Sequence, residues 1–450
     1  MNIALISDFF YPRLGGVEMH IYSLAICLRK QGHKVIIITH AYKGKGKNKT
    51  LRTGVRYLPY LIKVYYCPII PMTDEDSLPT FCATLPLFRY IFIREGINIV
   101  HAHQATSTLA HEAIAYAAEL GLASIYTDHS LFGVDDDVAS VVLNRVLKTT
   151  LSTVGAVICV SHTCRENLIL RANMDPTLVH AIPNAIDASK FQPDETLVRK
   201  RISMTQQRIK IVVISRLVYR KGVDLLVGII PKICKQHKNV DFIIGGDGSK
   251  KIILEEMVER ERLQERVEFL GSVPHSNVRN VLIRGHIFLN CSLTESFCIA
   301  ILEAASCGLF VVATNVGGVP EVLPPDMITL ADPNVKTLTL ALSTAINEKI
   351  GCDGGISFNP LDFHERIRDL YSWDRVAIKT VSVYRQVLET KRLTFLQRLA
   401  RYKSVGPFAG YVACLLSITL HFIVIIVEWL QPRELIDVVP DLIIPKEKDK

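Results

Sequence analysis

A chain of 450 residues has room for two ordinary domains and an appendage, and 49% hydrophobic with 21% charged residues excludes disorder throughout. The formal charge of +8 is concentrated, because Lys43, Lys45, Lys47, Lys49 and Arg52 with Lys391, Arg392, Arg398, Arg401 and Lys403 supply ten positives in two acid-free segments. That argues against a nucleic-acid-binding face, which needs charge spread over a folded surface, and suggests local patches facing anionic lipid.

The first elements alternate strand-like and helix-like from Asn2: strand to Ser7, helix Val17 to Gln31, strand Lys34 to Thr39. Val17, Ile21, Leu24 and Leu28 form one stripe of that helix, and Gly32 stops it. The segment Lys43 to Phe92 breaks the rhythm, being basic and then rich in aromatics and proline, and is expected to lie against a bilayer. Strand–helix pairs resume at Ile97, Ala123 and Ala156 and run to Met174. The polar stretch Asp187 to Lys210 reads as an interdomain linker, after which a second βα series runs from Ile211 to Thr314. The expected fold class is α/β: two Rossmann-like, doubly wound domains facing a cleft, over residues 1–190 and 191–375. A helix and basic segment over 376–407 would then precede a membrane helix over 408–430.

Phe408 to Leu430 is 23 residues long with Glu428 as its only charge, enough to cross about 30 Å of hydrocarbon. The basic residues ahead of it place the large N-terminal part in the cytoplasm and the tail 431–450 on the far, lumenal side. His421 and Glu428 are costly in lipid and are expected to pair with helices of other subunits. Eleven cysteines at irregular spacings, with no C-x-x-C pair, match no zinc template and fit a reducing compartment.

Three places carry chemistry. Gly15-Gly16 opens the first helix, so backbone amides can approach an anion there. Arg216, Arg220 and Lys221 leave a strand and enter a helix at Gly222, a cation cluster suited to a diphosphate. Glu295 and Glu303 stand eight residues apart around a predicted helix start, where Phe297, Cys298 and Ile299 offer free amides to phosphate. Glu303 lies among Ile299, Ile301, Leu302 and Ala305, so its carboxylate calls for a partner such as a ribose hydroxyl.

Arg216 and Lys221, the pair Glu295 and Glu303, and Gly317-Gly318-Val319-Pro320-Glu321 together resemble the retaining GT-B glycosyltransferases of family four, over residues 1 to about 390. The resemblance implies that the glycine turn with Arg216 and Lys221 holds the diphosphate of a nucleotide sugar. It further implies that Glu303 binds the ribose, that Glu295 lies by the donor sugar, and that His129, in Tyr126–Gly133, stands at the sugar end. Cys298 replaces the family's usual glycine and Phe310 its usual proline. Ser7–Pro12, Thr127–Gly133, Ser215–Gly222 and Leu293–Cys298 are similar to the branch that begins GPI-anchor biosynthesis. That branch implies UDP-GlcNAc as donor, phosphatidylinositol as acceptor, the cytosolic face of the endoplasmic reticulum membrane, and further subunits of a complex. The implied reaction is front-face, with the departing diphosphate accepting the proton, and with neither metal nor other cofactor. A different lipid-acceptor transferase, such as a phosphatidylinositol mannosyltransferase, and a non-catalytic scaffold that binds nucleotide sugar are the alternatives.

Overall fold

The computed structural model describes residues 1–13, 15–43, 51–72, 77–131, 138–203, 208–351 and 356–442. Lys45, Lys47 and Lys49 of the first basic segment, and the acidic run Asp135–Asp137, lie outside the described residues. The chain divides into two units, Met1–Ile182 with Trp373–Lys450, and Pro183–Ser372.

The central strands of the first unit are short apolar runs buried on both faces, as parallel strands covered by helices must be, whereas the edge strand Gly54–Leu58 is exposed. They form one eight-stranded sheet in the order Val179–Ala181, Ala156–Cys159, Ala123–Asp128, Ile99–His103, Asn2–Ile6, Lys34–His40, Ile62–Cys67, Gly54–Leu58. All neighbours are parallel except the last pair, which is an antiparallel hairpin. That hairpin comes from the segment expected to lie on a bilayer, and the helix Leu85–Arg94 that follows buries Phe88 and Phe92. Tyr66, Phe88 and Phe92 of 43–92 are therefore core, while Tyr57, Tyr60 and Phe81 are exposed.

The second unit carries a six-stranded, all-parallel sheet in the order Val267–Gly271, Val240–Gly245, Ile209–Ile214, Ile287–Asn290, Phe310–Thr314, Ile328–Ala331. The predicted linker belongs to this unit. Helix Glu195–Ser203 lies within it, Phe191 is buried, and the carbonyls of Phe191 and Gln192 accept hydrogen bonds from Ser306 Oγ at 2.9 Å and Arg279 Nε at 2.8 Å. The chain rejoins the first unit at Trp373, earlier than the predicted border at 375. Helix Trp373–Glu389 then docks on the first sheet: Tyr384 bonds His101 Nδ1 at 2.6 Å, and Val387 packs where a Cβ on Gly155 would come within 2.4 Å.

Ala409–Leu430 forms, among the described residues, the one helix long and apolar enough to cross a membrane. Its buried positions, Gly410, Ala413, Ser417 and Leu420, recur at helical spacing and are mostly small, which lets the backbone approach the first unit closely. A Cβ on Gly410 would stand 2.7 Å from the Tyr402 carbonyl. Glu119 ends helix Thr108–Glu119, a place where the helix dipole disfavours a carboxylate. The charge is offset by Arg398 at 2.5 Å, Ser417 Oγ at 2.6 Å and His421 Nδ1 at 3.3 Å around a side chain that is 2% exposed. Arg89, fully buried, reaches Glu428 at 2.6 Å and the Gln431 carbonyl at 2.9 Å. His421 and Glu428 thus find partners inside this chain, correcting the expectation that they await other subunits. Arg398, counted as part of a surface patch, is likewise internal.

The described residues after the helix are bonded to the first unit as well. Arg29 holds Asp441 at 2.7 Å, Lys34 donates to the Val439 carbonyl at 2.7 Å, and the Val439 amide donates to the Arg94 carbonyl at 2.8 Å. The chain up to Leu442 is thus tied to the first helix, the second strand and helix Leu85–Arg94. Removing Glu119 leaves Arg398 buried without its counter-charge, so Glu119→Ala should cost on the order of 3 kcal/mol. Thermal unfolding of the detergent-solubilised chain should show the loss, and Glu119→Gln should recover part of it by keeping the bond to Ser417.

Candidate active site

In the second unit the strand Ile209–Ile214 ends in Ser215–Lys221, and Gly222 turns the chain into helix Val223–Gln236. Gly222 has φ +69°, and a Cβ there would stand 1.8 Å from the Cys291 carbonyl oxygen. Glycine is required at this turn, because it brings the cation loop onto the Asn290–Ile299 loop. Leu293 N then donates to the Arg220 carbonyl at 2.9 Å, and Lys221 Nζ forms an ion pair with Glu295 Oε1. Ser292 Oγ donates to the same carboxylate oxygen at 2.8 Å, and the Gly318 amide donates to the Glu295 carbonyl at 3.0 Å. Burial, the largest influence, acts to lower the Lys221 pKa, but the Glu295 charge, Cys298 and the hydrogen bond to Glu295 together outweigh it and the net shift is upward, so Lys221 is a firm cation. Arg216 is exposed and close enough to repel that charge.

Helix Ile299–Ser306 begins one residue later than predicted, and Cys298 before it is left-handed, φ +72° and ψ 80°. That conformation explains why glycine is the usual residue here: a Cβ is tolerated but costs about 1 kcal/mol. Asn290 Nδ2 donates to Cys298 Sγ at 3.3 Å. Phe297 is buried with its ring 6.0 Å from Tyr371, so only its backbone can face a ligand. Glu303, buried as its apolar neighbours imply, accepts from His275 Nε2 at 2.9 Å. The hydrogen bond to Glu303 raises the His275 pKa above the usual imidazole value, against burial. Neither His275 nor the loop Gly246–Gly248 stands out in the sequence by motif or spacing. Gly246 and Gly248 both have positive φ, and the Asp247 carbonyl accepts from the Leu217 amide at 2.8 Å, so this loop supports the one carrying Arg216.

The first unit brings four histidines together. His101 and His103 lie two apart on strand Ile99–His103, hence on one face. His103 Nδ1 and His129 Nε2 are 3.3 Å apart with stacked rings, and the His20 ring meets His129 edge-on at 4.6 Å. His20, His103 and His129 offer ring nitrogens within 4.8 Å of one another, the one such group with metal-ligand spacing among the described residues. The direct His103–His129 hydrogen bond uses one nitrogen of each ring. Burial holds the pKa values of His103 and His129 well below the usual imidazole value, and that of His101 at about 3, so these rings are neutral. Burial also raises Asp128, beside His129, to about 6. Gly15 caps helix Gly16–Lys30, and a Cβ on it would stand 2.5 Å from Glu18 Oε2. The carboxylate of Glu18 therefore lies over the turn expected to receive phosphate.

Two family models match the chain: PIGA (GPI anchor biosynthesis) over residues 47–136 and Glycosyl transferases group 1 over residues 194–352. Sucrose-phosphate synthase from Thermosynechococcus elongatus superposes with a TM-score of 0.67 at 19% identity, covering 86% of this chain and 98% of its own. Anabaena HepE in complex with UDP gives 0.65 at 17% identity, covering 86% and 100%. Two parallel-sheet Rossmann-like units with these neighbours define a GT-B glycosyltransferase. The PIGA-type phosphatidylinositol N-acetylglucosaminyltransferase subunit of Arabidopsis thaliana is 48% identical over 98% of this chain and 94% of its own. The Homo sapiens protein of the same name is 47% identical over 99% and 88%, and the gpi3 subunit of Schizosaccharomyces pombe 47% over 96% and 91%. The chain belongs to this PIGA/GPI3 family of phosphatidylinositol N-acetylglucosaminyltransferase subunits.

Two outcomes follow from the second unit. Cys298→Gly should be at least as stable as the natural chain, while Cys298→Val, β-branched in a left-handed position, should unfold several degrees lower in thermal denaturation. The His275–Glu303 attraction is complete below the ordinary imidazole pKa and is lost as pH rises through the raised value, because the folded state binds that proton more tightly. Stability measured across that interval should fall with pH, and less so in His275→Gln.

Proposed function

We propose that this chain is the catalytic subunit that transfers GlcNAc from UDP-GlcNAc to the inositol of phosphatidylinositol with retention. It would work on the cytosolic face of the endoplasmic reticulum membrane, in a complex with further subunits. The observation that carries the reading is the Lys221–Glu295 ion pair at the mouth of helix Ile299–Ser306, with Arg216 beside it and His275–Glu303 inside the helix. The identity to relatives named phosphatidylinositol N-acetylglucosaminyltransferase subunits, over nearly the whole chain, supports this choice of donor and acceptor.

In this reading the diphosphate binds at Arg216 and Lys221, and amides at Phe297, Cys298 and Ile299 add hydrogen bonds. Glu303, oriented by His275, accepts from the ribose hydroxyls, and Glu295 positions Lys221 and faces the donor sugar. The bond from the anomeric carbon to the diphosphate oxygen breaks while the inositol oxygen bonds to the same face. The inositol proton passes to the departing phosphate oxygen, so atoms and charge balance without a side-chain base. The two cations stabilise the charge that grows on the leaving group, the term that usually dominates such a barrier. His129, neutral, hydrogen-bonds the sugar end and is too weakly basic to take the proton. No metal is invoked, because the cations fill the role a divalent ion would take at a diphosphate.

The test is transfer of labelled GlcNAc to phosphatidylinositol in microsomes of cells that lack their own enzyme and express this chain. Lys221→Ala should lower kcat by about 100-fold, and EDTA should leave the wild-type rate unchanged. Labelling from GDP-mannose but not UDP-GlcNAc would overturn the donor assignment, and equal rates from both forms would overturn the role of Lys221.

A further inference from the structure

A cavity of about 800 Å³ lies within the first unit, between helix Val138–Leu151, helix Ala409–Leu430 and the loop around Phe81. Val142, Val146, Val412 and Leu416 line its walls. Its floor is Ala105, 1% exposed, and its rim carries Phe81 and Phe408, which are 74% and 82% exposed. Most polar groups in the wall already have partners, and Arg145 donates to the Val405 carbonyl at 3.5 Å. Glu112 accepts from the Thr80 amide at 2.6 Å and from Thr80 Oγ1 at 2.7 Å, and His111 bonds the Ala105 carbonyl at 2.8 Å and Thr150 at 2.9 Å. An occupant therefore gains chiefly by burying apolar surface.

Two further features say which occupant. Tyr411, Leu415, Phe422, Ile426 and Trp429 expose an apolar stripe along the C-terminal helix at steps of three, four and seven residues. Hydrocarbon can cover that stripe. Phe408, Val412 and Leu416 belong both to the helix's outer surface and to the cavity wall, so the cavity opens where lipid begins. At the other end, Ala105 and Thr106 follow His103 in the turn that closes strand Ile99–His103, the end of the sheet that carries His129 and His20. Gln104, between them, holds φ +79°, which turns the chain sharply from the histidines to the cavity floor.

We propose that this cavity holds an acyl chain of the phospholipid acceptor, drawn from the leaflet against the C-terminal helix, so that its headgroup is delivered at the histidine end of the sheet. The helix is then a wall of the acceptor site as well as an anchor, and the Glu119 and Arg89 contacts hold that wall in place. The assignment rests on the phosphatidylinositol acceptor proposed above.

Two experiments on the full chain in microsomes test it. Phosphatidylinositol carrying a diazirine at the end of an acyl chain should, on irradiation, label peptides from Val138–Leu151 and from the first half of Ala409–Leu430. The same diazirine on phosphatidylcholine should label them several-fold less. Labelling elsewhere, or equal labelling by both lipids, would overturn the proposal, the second result assigning the cavity to a structural lipid. Labelling needs no turnover, so it reads the cavity even where the wild type transfers no sugar, the result that would instead remove the proposed function. Val146→Trp, which fills the cavity from a half-exposed position, should raise the KM for dioleoyl phosphatidylinositol about tenfold. The KM for UDP-GlcNAc and for dibutanoyl phosphatidylinositol should stay as in the wild type, and a parallel rise for both acceptors would count against the assignment.

Discussion

The absence of a side chain at Gly222 is the constraint on which the second unit's chemistry depends. With a Cβ 1.8 Å from the Cys291 carbonyl, the loop Ser215–Lys221 could not lie on the loop Asn290–Ile299. Lys221 would then not reach Glu295, Leu293 would not bond Arg220, and the mouth of helix Ile299–Ser306 would lose its cation. Backbone proximity here sets electrostatics: a lysine whose charge burial alone would suppress is kept charged by a carboxylate that the turn brings to it. The Gly246–Gly248 loop works in the same way one layer further out, since a Cβ on Gly246 would stand 1.8 Å from the Ser215 carbonyl.

Local pattern made much of this legible. The βα alternation, the parallel sheets, the cation cluster before Gly222 and the helix start after Glu295 are all short-range features, and strand and helix positions emerge from them within a few residues. What the sequence hid is non-local. Glu295 and Glu303 stand only eight residues apart, yet one pairs with Lys221 and the other with His275, residues 74 and 28 positions distant. The histidine cluster left a visible trace in His101 and His103, two apart on one strand, but His20 and His129 join them only through the parallel register of the sheet.

The C-terminal helix shows why a hydropathy sum is an incomplete reading. A window of apolar residues says that a segment prefers hydrocarbon, and says nothing of a partner protein face. Gly410, Ala413, Ser417 and Leu420, with His421 one step on, carried that second message as a stripe of small and polar residues opposite the bulky one. Glu119 is the answering group, and it lies almost 300 positions earlier in the chain. Polar side chains in an apolar helix need partners because burial without them is costly. Here the partners are internal, and the helix is held along the first unit by charge as well as by packing.

The division of charge between the units bears on how the proposed reaction is driven. Neutral imidazoles in the first unit provide hydrogen bonds but little basicity, since burial penalises their protonated forms. The second unit holds cations where a leaving diphosphate would gather negative charge. A base strong enough to deprotonate a sugar alcohol is therefore missing from the cluster, while the leaving group itself becomes steadily more basic as its bond to the sugar lengthens. Stabilising that oxygen with Lys221 and Arg216 lowers the barrier, yet too many cations would make it a poor proton acceptor. In the proposed reaction Glu295 would set the balance: by sharing Lys221 it would temper the positive field, leaving the departing oxygen stable enough to leave and basic enough to take the acceptor's proton.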